Sequence, residues 1–225
     1  ITDNFGGFTW YKNSRLKRIN NWNNDSSIDS PSELMYIKDV KENKYFSVCT
    51  RCANDMNYVI KHGHGYSSFI QVADNLLQNI DVFVEHDKNQ KNIFFNLKNL
   101  AYEKRYLKLY YYIDLVLGED KEKTNGNIIC KKGENSVQIK NIFSNQFDKE
   151  IVISCNLEIK NVIYGKRNFF GEEYDLRAPK YILNKSLEEQ KKYSKANGIA
   201  LEIDIKLQEF ENKEIVFSIG VSTSR

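Results

Sequence analysis

Apolar and polar residues alternate with a period of two along several long segments of this chain. The longest of these segments covers residues 107–117, where every second residue is leucine, isoleucine or tyrosine. Shorter segments of the same kind occur at residues 79–86, 151–159, 201–208 and 215–221. Successive side chains of a strand point to opposite faces of its sheet, so this alternation is typical of strands with one buried face and one face in water.

Less regular apolar segments predict further strands, and turn-like sequences such as Thr124–Asn127 and Lys132–Asn135 separate many of them. A single short helix is predicted at residues 186–194, where Ser186 and Glu189 have the spacing of a capping box. The pattern therefore predicts an all-β fold, a large antiparallel β-sandwich with little helix that forms one domain over residues 1–225. The additional strands are expected at residues 33–39, 45–49, 56–62, 66–72, 93–100 and 136–142.

The amino-acid composition agrees with an all-β fold and limits the kinds of partner that the chain is expected to bind. The chain has 14 tyrosines and 13 phenylalanines, which suit half-buried pleated surfaces. Its net charge is only +3, whereas a nucleic-acid binder more often shows a concentrated basic face. No segment approaches the roughly 18 apolar residues of a membrane span. The chain begins at Ile1 without a methionine or a signal peptide, and we expect it to be a fragment of a longer multidomain protein.

The four cysteines do not form a disulfide framework in a chain of 225 residues. Cys49 and Cys52 form a lone CxxC with no second pair and no histidine at metal-ligand spacing. Cys130 and Cys155 fall in strand-like apolar segments. We expect buried or idle thiols, no metal and no cofactor, and the cysteine usage favours a reducing cytoplasm.

One segment, residues 6–25, contains both tryptophans of the chain together with arginines, asparagines and Asp25. Aromatic rings stack on the CH faces of sugars, while Asn, Asp and Arg bond their hydroxyl groups. The residues alone leave two interpretations open: a sugar-contact loop, or two packing tryptophans beside a solvated loop, which is the commoner case. Trp10 follows a strand-like run and is expected to be buried, whereas Trp22 lies among asparagines and is expected to be partly exposed.

A second cluster, His62-Gly-His-Gly-Tyr66, is interpreted as a turn that needs glycine near a site. Its two histidines have no evident third partner for a metal. No nucleophile triad, phosphate-binding glycine loop or isolated carboxylate pair rises above chance, so no catalytic residue is predicted.

These two motifs belong to a set of segments that together resemble a known family. The segments are Gly7–Trp10, Asn13–Arg15, Arg18, Trp22, Asn24–Asp25, Asp29–Glu33, His62–Tyr66, Leu76–Val84, Tyr110–Gly118 and Asn141–Phe147. They resemble the amino-terminal domain of glycoside hydrolase family 94, which includes cellobiose and chitobiose phosphorylases, β-1,2-oligoglucan phosphorylases and part of the cyclic β-1,2-glucan synthases. The resemblance runs nearly end to end and departs from the family pattern at Lys17, Asn21, Ser26 and Leu115.

The resemblance implies a supersandwich domain that carries no catalytic residue. Catalysis would lie in a separate (α/α)6 barrel of the same chain, where an Asp general acid assists inverting attack by phosphate. The implied partners are a β-glucan oligosaccharide, that barrel and a possible homodimer copy, without nucleic acid or a membrane span. The implied carbohydrate-binding residues are Tyr11, Asn13, Arg15, Arg18, Trp22, Asn24, Asp25, His62 and Tyr66.

Two alternatives belong to other functional classes. The chain could be a freestanding carbohydrate-binding module whose whole site is the tryptophan segment, and it would then bind sugar clearly by itself. It could also be a β-sandwich catalytic domain, such as a lyase that uses His62, Tyr66 and a carboxylate, and it would then turn over a substrate.

Cys49 and Cys52 are expected to bind no zinc, because a CxxC supplies only part of the tetrahedral ligand set of a structural site. Elemental analysis of the dialysed protein should find zinc far below one equivalent, and a chelator should leave the melting temperature unchanged. One zinc per chain, or unfolding on chelation, would contradict this expectation.

Overall fold

Two antiparallel sheets form the fold in the computed structural model, which describes residues 1, 5–22, 32–48, 58–143, 147–184 and 193–222. The smaller sheet has six strands within these residues. Its order is β12 (Asn161–Tyr164), β14 (Gly198–Leu207), β8 (Arg105–Gly118), β2 (Glu33–Asp39) and β3 (Lys44–Ser47), with β1 (Arg18–Asn20) also paired to β8.

The larger sheet has nine strands within the described residues, all paired antiparallel to their neighbours. Four of its strands, β4 to β7, follow one another both along the chain and in space. The order is β13 (Tyr193–Lys195), β9 (Ile128–Lys132), β10 (Ser136–Asn141), β11 (Ile151–Cys155), β15 (Asn212–Val221), β7 (Gln90–Asn99), β6 (Leu76–Val84), β5 (Tyr66–Ala73) and β4 (Tyr58–Gly63).

Strand β8 is buried on both faces, which explains its tyrosines. Tyr111 points between the sheets and packs on Phe217 of β15, with ring centroids 4.8 Å apart. Tyr112 points the other way and stacks on Phe169 at 5.7 Å. Phe169 belongs to α2 (Lys166–Phe170), which contacts α3 (Lys180–Asn184) and lies over the smaller sheet. The third helix, α1 (Lys121–Thr124), follows β8 directly, and the Asp120 side chain accepts a hydrogen bond from its Glu122 amide.

The predicted all-β sandwich class is confirmed. The predicted helix lies mostly outside the described residues, and its last two residues, 193 and 194, belong to β13. The segment before Trp10, expected to be a strand, is not one, because Phe5 and Gly6 have φ angles of 55° and 90°. Strands β1 and β12 and the three short helices were not assigned from the sequence, whereas β9 contains the strand-like segment around Cys130. Within the described residues, no helix has the length and apolar character needed to cross a membrane.

Ion pairs connect the two sheets at opposite ends of β2, through a buried pair at one end and through the partly exposed Asp74 at the other. At one end Lys91 of β7 donates to both carboxylate oxygens of Glu33, at 2.7 Å each. At the other end Arg105 donates to Asp39 at 2.6 Å and to Asp74, in the β5–β6 turn, at 2.7 Å. A buried charge is costly unless it is paired, so each ion pair fixes the spacing of the two sheets where it lies.

Replacement of Lys91 by alanine should lower the free energy of unfolding by about 3–5 kcal/mol, because it leaves Glu33 buried without a cation. Denaturant melts of the purified variant would measure the change. Lys41→Ala is the matched control: Lys41 also pairs with a glutamate, Glu103, but both side chains are mostly exposed, and little change is expected. Equal midpoints for the two variants would mean that the inter-sheet pair does not hold the sheets together.

Candidate functional site

The amino-terminal loop is shaped by its own polar side chains before it joins the smaller sheet. The Asn13 Oδ1 atom accepts hydrogen bonds from the amides of Arg15 and Leu16, at 3.0 and 2.9 Å. The Asn20 side chain then donates to the Gly7 carbonyl at 2.7 Å and to Glu33 at 3.3 Å. Asn13 therefore forms a turn, and Asn20 ties the loop to the inter-sheet ion pair.

Trp10 is 49% exposed, so the expectation that it is buried is wrong. Its only regular backbone pairing is an isolated bridge to Arg18. The indole ring lies against Phe8, with centroids 5.0 Å apart, and the Arg18 guanidinium lies 5.6 Å from the Phe8 ring. The loop thus presents Trp10 on the surface above Phe8. Trp22 is half-buried, which agrees with the expectation that it is partly exposed.

The β4–β5 hairpin presents a second exposed aromatic ring, Tyr66, at 49% exposure. Gly65 in the turn has a φ of 87°, which favours glycine, as expected for this cluster. Gly63 has a different role, because a Cβ atom there would lie 2.1 Å from the Tyr66 ring. The absence of a side chain at Gly63 lets the tyrosine ring lie flat on the hairpin. His62 is held by a 2.9 Å hydrogen bond between its Nδ1 atom and the Ser67 hydroxyl.

A cleft with a volume of about 570 Å³ separates Trp10 from Tyr66. The Lys91 ammonium lies at this cleft, where it also donates to the Thr9 hydroxyl at 3.3 Å. No carboxylate is found among the described lining residues, which are Ile1, Gly7, Phe8, Thr9, Trp10, Gly63, Gly65, Tyr66, Ser67, Val82, Phe83, Val84 and Lys91. Two exposed rings with a few hydroxyl and ammonium groups between them suit stacking on a sugar and bonding to its hydroxyls.

The residues expected to bind carbohydrate are only partly brought together. Tyr66 lines the cleft, and His62 lies beside it in the same hairpin. Tyr11 is buried, and the Lys12 and Lys17 ammonium groups lie 5.2 and 5.9 Å from its ring centroid.

The remaining residues that were expected to bind carbohydrate do not line this cleft or lie outside the described residues. Arg15 is exposed beside Glu119, at 3.5 Å. Arg18 donates to the Trp22 carbonyl at 3.3 Å. Asn24 and Asp25 lie outside the described residues.

Two aromatic residues of the cleft, Phe8 and Phe83, had not been assigned to a site from the sequence. Phe83 carried a signal nonetheless, because it interrupts the alternation of residues 79–86 by placing an apolar side chain on the polar face. Its outward position reveals an apolar patch on a face that the pattern predicts to be wet.

A second cleft, of about 640 Å³, lies beside β8 and is polar and of mixed charge. Its buried Asp114 accepts hydrogen bonds from Lys121 at 2.7 and 2.5 Å. Burial lowers the pKa of Lys166 from its ordinary value, although the nearby Asp114 opposes the shift. The described lining residues include three cations, Arg18, Lys121 and Lys166, and three carboxylates, Asp114, Asp120 and Glu122, so the cleft has no excess charge for an ionic ligand. Its other lining residues include Asn21, Asn125, Tyr174 and Asn197.

The described residues contain no group of three or more potential metal ligands. Cys130 and Cys155 are free and buried, and burial raises the pKa of the Cys130 thiol to about 12 and that of Cys155 to about 11. Both thiols are therefore protonated and unreactive near neutral pH. Cys49 and Cys52 lie outside the described residues.

The two packed sheets define a β-supersandwich fold, and comparison with known families agrees. Residues 1–225 match the glycosyl hydrolase 94 supersandwich domain, so the chain belongs to this family. It is 21% identical over 223 residues to the cyclic beta-(1,2)-glucan synthase NdvB of Rhizobium meliloti (strain 1021), covering 95% of this chain and 8% of the synthase. It is 26% identical over 73 residues to N,N'-diacetylchitobiose phosphorylase of Vibrio proteolyticus, covering 31% of this chain and 9% of that enzyme.

A solved structure of similar fold is a bacterial glucoamylase complexed with acarbose, with a TM-score of 0.56 at 14% identity. The match covers 93% of this chain and 27% of the glucoamylase chain. At this identity the likeness supports the supersandwich fold alone. The chain spans less than a tenth of the length of the glucan synthase, and the 73 residues matched to the phosphorylase cover 9% of that enzyme.

Replacement of Trp10 by alanine should cost about 1 kcal/mol or less, because a half-exposed side chain loses little burial. The matched control is Phe95→Ala, which removes a fully buried ring and should cost about 3–5 kcal/mol. Thermal melts of both variants would compare them. Equal losses of stability would mean that Trp10 is part of the core.

Proposed function

We propose that this chain is the non-catalytic supersandwich domain of a β-glucan phosphorylase or a cyclic β-1,2-glucan synthase-like enzyme. It contributes the cleft between Trp10 and Tyr66 to sugar binding and packs on a separate (α/α)6 catalytic domain of the same polypeptide. The observation that carries the proposal is the pair of exposed aromatic rings facing one cleft in a domain of family 94.

The cleft has the chemistry of a contact site rather than of a reaction centre. A pyranose ring entering it would meet the Trp10 and Tyr66 rings with its CH faces. The Lys91 ammonium is fixed at the cleft by its two bonds to Glu33 and by its bond to the Thr9 hydroxyl. Glycoside cleavage requires a carboxylic acid at the glycosidic oxygen, and no described lining residue has one.

The lengths of the relatives support the division of labour. The chain covers 8% of the glucan synthase, which leaves most of that enzyme to carry other steps. The rival catalytic role for His62 and Tyr66 has no such support. His62 is bonded to Ser67 and is not among the described residues that line the cleft.

The proposal is tested by titration of the 225-residue chain with β-1,2-linked gluco-oligosaccharides in a calorimeter. Trp10→Ala and Tyr66→Ala should each weaken binding about twofold to tenfold, since an aromatic contact contributes about 0.5–1.5 kcal/mol. Tyr102→Ala is the matched control, because Tyr102 is 85% exposed and does not line the cleft.

No glucose 1-phosphate should form when phosphate is added to the chain and oligosaccharide. Its formation would mean that the chain is itself an enzyme. Undiminished binding by both cleft variants would remove the sugar-contact role from this cleft.

A further inference from the structure

The cleft continues onto the outer face of the nine-stranded sheet, the face turned away from the core. In β5, β6, β7 and β15 every second side chain points to this face and is at least partly exposed, apart from Ser68 and Asn92, which are buried. The described helices contact strands of the smaller sheet. The opposite side of the molecule therefore presents a broad sheet surface.

Two rows of side chains cross this surface at right angles to the strands. The antiparallel register places Tyr66 opposite Phe83, Phe83 opposite Asn92, and Asn92 opposite Ser218. This is the first row, and it begins with two rings of the cleft. The second row runs parallel to it through Ser68, Asp81, Phe94 and Val216.

Aromatic rings connect the rows. Phe83 and Phe94 meet edge to face, with centroids 5.1 Å apart. Both rings are half-buried, as is expected of a ring that has one side in contact with the sheet and the other side in water. With Trp10 and Tyr66 they extend the aromatic surface from the cleft to the middle of the sheet. A patch of this kind on an otherwise polar face marks a binding surface.

The polar groups between the rings are ordered by bonds to one another. The Ser68 hydroxyl donates to Asp81 Oδ1 at 2.6 Å, and the Asn79 amide donates to Asp81 Oδ2 at 3.1 Å. In the first row Asn92 Oδ1 accepts from Gln90 at 2.7 Å and from Ser218 at 2.7 Å. Carboxylate and amide groups held in this way keep further donor and acceptor positions for hydroxyl groups, at little cost in side-chain entropy.

The charge and the length of this surface indicate which kind of ligand fits it. Asp81 is the carboxylate of the two rows, and Lys61 lies opposite Ser68 on the neighbouring strand β4, so the surface has no excess of either sign. A neutral ligand suits this balance better than a phosphorylated sugar or a nucleic acid does. Each row crosses three strand spacings, about 14 Å, and together with the cleft it is longer than a disaccharide.

We infer that an uncharged, β-linked gluco-oligosaccharide that enters the cleft continues across these two rows, so that the domain binds longer glucan chains more tightly. The inference rests on the proposed function of the cleft and extends it to the outer face. Phe94 and Asp81 are the residues that distinguish a long chain from a short one.

The test is calorimetric titration of the 225-residue chain with β-1,2-linked gluco-oligosaccharides from disaccharide to hexasaccharide. The affinity of the unmodified chain should rise at least tenfold over this series. Phe94→Ala and Asp81→Asn should remove most of the rise and leave disaccharide affinity unchanged. Tyr102→Ala, which changes an exposed aromatic away from the rows, should keep the full rise.

A melting curve of each variant shows whether it is folded. If Phe94→Ala does not fold, Phe94→Leu replaces it, because leucine keeps the apolar volume without an aromatic ring. Disaccharide binding that depends on Trp10 and Tyr66 but does not grow with length would overturn this inference alone and assign the outer face to a protein contact. A rise in affinity with chain length that persists in the Phe94→Ala and Asp81→Asn variants would also overturn this inference. Absence of binding at every length would overturn the proposed function together with it.

Discussion

The buried ion pair between Lys91 and Glu33 is the constraint on which the candidate site depends. Two charges removed from water must stay together, so β7 of the larger sheet and β2 of the smaller one are held at a fixed separation. Glu33 also accepts a bond from Asn20, whose amide holds the Gly7 carbonyl of the amino-terminal loop. The position of Trp10 over its cleft is thus a consequence of how the two sheets are joined.

The two sheets differ in what covers them, and this difference separates scaffold from surface. The smaller sheet has β8 at its centre, with α2 packed on the side away from the core, so its tyrosines are enclosed. The larger sheet is described without such a cover, and its outward side chains combine rings with amide and hydroxyl groups. A sheet exposed on one face normally alternates between apolar and polar residues. Phe83 and Phe94 depart from that rule on the same surface and in contact with each other.

Sequence-based prediction succeeded best for strands that have one face buried and one face in water. Strands β6, β11 and β15 have one wet face, and the period of two revealed them. In β8 the helices cover the second face, so Tyr110 and Tyr112 stand at positions that the pattern treats as polar. Short strands such as β12 contain too few residues to show a period.

The candidate site was harder to predict, because it depends on contacts between distant segments. Tyr66 could be selected from its own motif. The expectation for Trp10 failed because the positive φ angles of Phe5 and Gly6 replace a strand by a loop that turns the ring outward. The pairing of Phe83 with Tyr66 and its contact with Phe94 follow from strand register, which one sequence does not reveal.

The proposed function places catalysis in another domain, and the distribution of the described carboxylates supports that proposal. Four carboxylates are buried among the described residues, and each is ion-paired: Glu33 with Lys91, Asp39 with Arg105, Asp114 with Lys121, and Glu202 with Lys108. A general acid for glycosidic cleavage has to be a carboxyl group that carries a proton and reaches the scissile oxygen. Three of these pairs connect one strand to another and the fourth connects β8 to α1, and the aromatic cleft has no carboxylate among its described residues. The described part of the domain therefore combines internally paired buried carboxylates with a ring-lined surface, and this combination is what the proposed function as a sugar-contact domain requires.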